Sequence, residues 1–248
     1  TVLSRGLGDV YKRQTLGLDV CLKKSYASHL GISDDQYAKE GASFLETNQE
    51  IISKSDAILQ LNILKDEDLK RLKQNQILVG VLNPYVNEKK IKEISSKNIK
   101  CFSLELLPRI TRAQSMDILS SQANLAGYKA VVDSFAYYQK AIPMMMTAAG
   151  TISAAKVLVV GAGVAGLQAI ATAKRMGAIV FATDVRLASK EQVESLGGKF
   201  LTVEGSENME TEGGYAKEAS EDFKAKQEEL LKETLKKIDI VICTALIP

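Results

Sequence analysis

Three glycines and one acid have the spacing most suited to chemistry in this chain: Gly161-Ala162-Gly163-Val164-Ala165-Gly166, and Asp184 about twenty residues further on. A first glycine permits a tight strand-to-helix turn, a second lets the backbone approach a pyrophosphate, and a third lets helix and strand pack closely. The helix that follows would offer unpaired N–H groups and the positive end of its dipole. A carboxylate at Asp184 is placed to accept hydrogen bonds from an adenosine ribose, and would repel a 2′-phosphate, which favours NAD over NADP. Arg186, one residue past Val185, pulls the other way, because an arginine there could greet that phosphate. No Gly-Lys-Ser/Thr follows the glycines, which argues against a mononucleotide P-loop.

A second group of short polar side chains lies upstream. If the chain is helical from about Arg112, then Gln114, Asp117, Ser121 and Asn124 share one stripe with Ser120 beside it. The stripe carries hydrogen-bonding groups rather than Lys and Glu, which suits a site better than a solvated face. Gly213-Gly214-Tyr215, in the polar loop 204–219, is composed like a flap that could lay a ring over a ligand, or like an ordinary exposed loop.

The elements that must position these residues follow from periodicity. Val157–Val160 reads as a strand buried on both faces. Leu167, Ile170, Ala171, Ala173 and Met176 recur at helical spacing up to Gly177, and Ile179–Ala182 is the next strand. Upstream, strands are expected at 18–22, 57–61, 77–82 and 100–104, with helices from Ser33 through Phe44 and over 47–53, 66–73 and 88–95. A helix at 126–142 leads towards the second domain. Downstream, helices at 190–196 and 222–238 alternate with strands at 200–203 and 239–246. Strands alternating with helices imply an α/β fold of two parallel-sheet domains, 15–119 and 120–248, the second of Rossmann type. Residues 1–14 show no clean period and read as an unassigned tail.

Composition narrows the function further. The 248 residues, 46% hydrophobic, can bury a sizeable core, and a net charge of +2 without a basic cluster offers nothing for nucleic acid. Cys21, Cys101 and Cys243 are odd in number and scattered, as expected of buried thiols in a reducing compartment rather than disulfides or a metal site. The apolar run 141–173 is broken by Pro143, Lys156 and the glycine turn, so no direct membrane span is expected.

The blocks ELLPRITRAQSMDILSSQANLAGYKAV, PMMMTAAGT, GAGVAGLQAIATAKRMGA, ATDVR, KEQVESLGGKF and GGYAKE, in this order, resemble one family: the soluble NAD(H)-binding subunits of proton-translocating NAD(P) transhydrogenases, related in fold to alanine dehydrogenases. The resemblance covers about residues 18–248. It implies that Arg109, Gln114, Asp117 and Ser120 line a nicotinamide site, that Tyr215 belongs to a mobile loop, and that the span Gly161–Gly166 with Asp184, Val185 and Arg186 holds the dinucleotide. It implies hydride transfer between NAD(H) here and NADP(H) on a partner β subunit, with proton translocation in a separate membrane subunit. It further implies a homodimer, peripheral on the cytoplasmic face of the plasma membrane. Against the family pattern both chain ends look incomplete.

The nearest alternative is an alanine-dehydrogenase-like enzyme, which by resemblance needs a lysine and a histidine in the first domain. Gln60 and Asn62 stand about where that lysine is expected, and His29, the only histidine, sits in an early loop. Hydride exchange between two cofactors needs no such acid or base. A non-catalytic NAD-sensing module is a third possibility.

Overall fold

The computed structural model describes residues 6–108, 110–203 and 221–245. It divides into two compact units, residues 1–118 and 119–248. The stretch over Arg109 and the loop that contains Tyr215 lie outside the described residues.

The first unit alternates helix and strand: α1 Leu7–Thr15, β1 Cys21–Lys23, α2 Asp34–Lys39, β2 Ser43–Leu45, α3 Asn48–Lys54, β3 Ala57–Asn62, α4 Asp66–Leu69, β4 Ile77–Val81, α5 Glu88–Ser96 and β5 Lys100–Ser103. β1 pairs parallel with β2, and β3, β4 and β5 form a parallel sheet in that order. Two helix starts follow from side chains that cap them. Thr47 accepts the Glu50 N–H while Glu50 reaches back to the Thr47 N–H, and Ser33 and Gln36 form the same kind of box before α2. Ile58, Leu78, Ile94 and Ile99 bury one side of the three-stranded sheet.

Three expectations are corrected in this unit. Leu7–Thr15, left unassigned by its periodicity, is helical, because Leu7 and Val10, one turn apart, pack with Ala27, Tyr37 and Ala42. The helix begun at Ser33 stops at Lys39, since Gly41 at φ 93° turns the chain and Phe44 joins strand β2. α4 ends at Leu69 instead of running to Lys73.

The second unit opens with the long helix α6 Ile118–Tyr137 and a hairpin of β6 Met145–Thr147 and β7 Gly150–Ile152. Then come β8 Lys156–Val160, α7 Val164–Arg175, β9 Ile179–Thr183, α8 Ser189–Ser195, β10 Lys199–Phe200, α9 Glu221–Leu235 and β11 Ile240–Cys243. All four sheet strands run parallel in the order β10-β9-β8-β11, so β8 is central and the chain reverses direction across the sheet beside it. Central position explains the unbroken apolar run: Val157 and Val159 face one side, Leu158 the other, and all are at most 1% exposed. Val131 and Phe135 of α6, Ile170 and Ala173 of α7 and Val193 of α8 pack with Val157 and Val159 in one cluster.

The thiols are also corrected. Cys101 and Cys243 are exposed and Cys21 half-buried; among the described residues β5 and β11 lie at the edges of their sheets, where fewer neighbouring segments can cover a strand's face. Among the described residues no helix is long and apolar enough to cross a membrane, and no group of three or more His, Cys, Asp or Glu could hold a metal ion.

Candidate functional site

The turn between β8 and α7 is fixed by contacts that leave no room for side chains at two of its glycines. Gly161 has φ 93°, and a Cβ there would also lie 2.7 Å from the Ala245 backbone nitrogen. A Cβ on Gly166 would stand 1.9 Å from the Gly161 carbonyl oxygen, so the first turn of α7 lies directly on the strand end. Gly163 differs: among the described residues a Cβ there would meet nothing nearer than Arg186 Nη2 at 4.0 Å. The backbone at Gly163 is therefore open to an approaching group. The first hydrogen bond of α7 runs from the Leu167 N–H to the Gly163 carbonyl at 2.8 Å, which leaves the earlier N–H groups at Val164 and Ala165 without an acceptor inside the helix. The donor set and the open cradle fit a pyrophosphate.

Asp184, just past β9, closes the other side of the turn. Its Oδ2 accepts the Ala162 N–H at 2.7 Å and Arg186 Nη2 at 2.9 Å, while Oδ1 accepts the Arg186 N–H and Nε, both at 2.9 Å. The side chain is 7% exposed and that of Arg186 22%. Burial pushes the carboxyl towards a higher pKa, but hydrogen bonds from the Arg186 side chain and backbone and from the Ala162 N–H, with the guanidinium charge, hold it below the usual carboxylate range.

Two residues that periodicity did not single out complete the turn. Gly127 in α6 passes so close to the start of α7 that a Cβ would lie 2.0 Å from the Ala165 carbonyl oxygen. Thr244, after β11, donates its hydroxyl to the Gly161 carbonyl at 2.7 Å. A glycine inside a long helix, which costs about 1 kcal/mol relative to alanine, was the available signal for Gly127. Thr244 gave none.

The polar stripe is corrected. A 3-10 helix spans Thr111–Met116, Asp117 has ψ 88°, and α6 starts only at Ile118. Ala113 and Ile118 are both buried, yet on one α-helix they would lie about 140° apart. The break at Asp117 lets both turn inward. Gln114 is exposed and Asp117 half-buried in the first unit, with the Asp117 N–H bonded to the Gln114 carbonyl at 3.2 Å. Ser120 is half-buried in the first turn of α6, in the second unit.

A central parallel strand that turns through Gly-x-Gly-x-x-Gly into a helix, beside a strand ending on an acid, defines a Rossmann-type α/β protein. The chain belongs to the alanine dehydrogenase/PNT family: residues 9–126 match its N-terminal domain and residues 130–248 its C-terminal domain. It is 51% identical over 236 residues to the first part of NAD(P) transhydrogenase subunit alpha of Rickettsia prowazekii (strain Madrid E), covering 94% of this chain and 62% of that protein. Identity to the protein of the same name from Rhodospirillum rubrum is 48% over 246 residues, 96% of this chain and 64% of the relative. The solved transhydrogenase of Sinorhizobium meliloti superposes with a TM-score of 0.86 at 45% identity, over 98% of this chain and 65% of that one. The chain thus spans less than two thirds of the relatives' length.

Two outcomes follow from this geometry. Gly127→Ala and Gly166→Ala press on backbone and lower stability by about 1–3 kcal/mol or more, whereas Gly163→Ala stays within about 1 kcal/mol; thermal unfolding of the three variants decides, and equal losses would contradict the assignment. Because the Asp184 pKa is depressed on folding, its contribution to stability is complete above the ordinary aspartate value of about 4 and fades as pH falls through the lower folded value. Asp184→Asn should accordingly flatten the stability profile below about pH 4, and an unchanged acid limb in denaturation would refute this.

Proposed function

We propose that this chain is the NAD(H)-binding part of a proton-translocating NAD(P) transhydrogenase. The observation that carries the proposal is the joined pair of features at one turn: an open backbone cradle at Gly163 and a buried, ionised Asp184 hydrogen-bonded to the amide next to it. The relatives' names, each denoting the first part of an NAD(P) transhydrogenase alpha subunit, support the same activity and a multi-subunit assembly.

In this reading the backbone from Gly163 to Ala165 receives the pyrophosphate, with Val164 and Ala165 supplying the first-turn donors of α7, while the Ala162 N–H stays on Asp184 and holds the turn in place. Asp184 accepts the adenosine ribose hydroxyls, and the backbone from Val185 to Arg186 borders that ribose. NAD(H), when bound, donates or accepts a hydride at its nicotinamide. Arg109, Gln114, Asp117, Ser120 and Tyr215 orient that ring, and small misplacements of the reacting atoms can cost on the order of 100-fold in rate. The acceptor is NADP(H) on a partner β subunit, protons cross in a separate membrane subunit, and the chain works as a homodimer on the cytoplasmic face of the plasma membrane. No group here needs to take a proton from substrate, in keeping with a sequence whose only histidine, His29, is exposed on the turn Ser28–Leu30.

The test has two arms. Fluorescence titration should give NADH binding tighter than NADPH binding by about tenfold or more, since a 2′-phosphate meets the Asp184 carboxylate. With partner subunits supplied, Gln114→Ala and Asp117→Ala should slow reduction of an NADP analogue by NADH by on the order of 100-fold while weakening NADH binding far less. Equal affinities for the two nucleotides would overturn the cofactor assignment, and wild-type rates in both variants would overturn the nicotinamide site.

A further inference from the structure

Rossmann-type sites read the adenosine ribose in one of two ways: an acid accepts from a free 2′-hydroxyl, or an arginine grips a 2′-phosphate. This chain holds both groups two residues apart, and the hydrogen bonds determine which one a ligand meets. Arg186 commits Nε and Nη2 to Asp184, one on each carboxylate oxygen, both at 2.9 Å. That fork is the edge of a guanidinium that would hold a phosphate bidentately. A carboxylate offers about four lone-pair sites, and here the Ala162 N–H, the Arg186 N–H and the two arms of the fork take four bonds. Nη2 is also the atom nearest to the open side of Gly163, so the guanidinium already lies beside the cradle.

The two kinds of ribose meet this pair differently. A ribose hydroxyl is a donor and can exchange with one arm of the fork at Asp184 without leaving the carboxylate bare. A 2′-phosphate carries only acceptor oxygens at neutral pH, gains nothing from Asp184, and needs the fork that Asp184 holds.

We propose that Arg186 is a masked receptor for a ribose 2′-phosphate, kept closed by its two-armed bond to Asp184, so that the pair rather than Asp184 alone determines discrimination between NAD(H) and NADP(H). The proposal rests on the dinucleotide site described under Proposed function and adds a specificity residue to it. Removing the charge on Asp184 does more than weaken NADH binding: it takes away the acceptor that occupies the Nε–Nη2 edge beside the cradle.

The test is a double-mutant cycle at positions 184 and 186 in the purified chain, with NADH, NADPH and 2′-AMP as ligands. Asp184→Asn keeps the shape and an acceptor for the Ala162 N–H, but turns a donor towards the guanidinium. It should tighten NADPH and 2′-AMP by about tenfold or more, and Arg186→Met should remove that gain. The factor by which Arg186→Met weakens NADPH binding should be larger in the Asp184→Asn background than with Asp184 in place. Asp184→Ser repeats the comparison should the asparagine variant fold poorly. No gain of NADPH affinity in either folded variant, or the same factor for Arg186→Met in both backgrounds, would overturn the masked receptor while leaving NADH binding by the wild type intact. Failure of the wild-type chain to bind NADH would instead overturn the dinucleotide site, and the masked receptor with it.

Discussion

The 2.7 Å hydrogen bond from the Ala162 N–H to Asp184 Oδ2 joins the two ends of the β8-α7-β9 unit, and the geometry of the site depends on it. It fixes where the tip of the glycine turn stands relative to the end of β9. The same carboxylate collects the Arg186 amide and guanidinium, so one buried charge is held by donors from two segments. An ionised carboxylate can remain buried only when its acceptor sites are filled in this way. The turn in turn leans on its neighbours: Gly127 lets α6 lie against Ala165, and Thr244 bonds the Gly161 carbonyl. The turn is thus backbone held from three sides, with Gly163 as its open position among the described residues.

The sequence revealed this unit because its determinants are local. A buried central strand shows as a run of Val and Leu, the turn as glycines at fixed offsets, and the end of α7 as Gly177 with φ 89°. The contacts of Gly127 and Thr244 were not legible, since each depends on which distant segment lies opposite. The thiols misled for a related reason: Cys101 and Cys243 lie in apolar strand sequences, and only the strand order places those strands at the edges among the described residues.

The stretch around Gln114 shows the limit of a single-period argument. Every residue from Arg112 to Tyr128 is compatible with one helix, and the polar positions align if it is drawn so. The burial of both Ala113 and Ile118 decides otherwise, and the chain passes from a 3-10 helix through Asp117 into α6. Gln114 and Asp117 keep a close relation, because a period of three places them in line. Ser121 and Asn124 fall on a different element. The opening helix α1 is the reverse case: its sequence is mostly polar, and Leu7 and Val10 suffice because α2 and its neighbours offer a surface for them.

In the proposed function, Asp184 and the Gly161–Gly166 turn together receive the adenosine end of NAD(H). The most direct measurement is a crystal structure of this chain grown with NADH. The pyrophosphate is expected against the backbone of Gly163 and the N–H groups that follow it, with an adenosine ribose hydroxyl within hydrogen-bonding distance, about 2.5–3.0 Å, of the Asp184 carboxylate. Nucleotide bound elsewhere, or bound here with Asp184 still holding all its present partners and the ribose turned away, would contradict it.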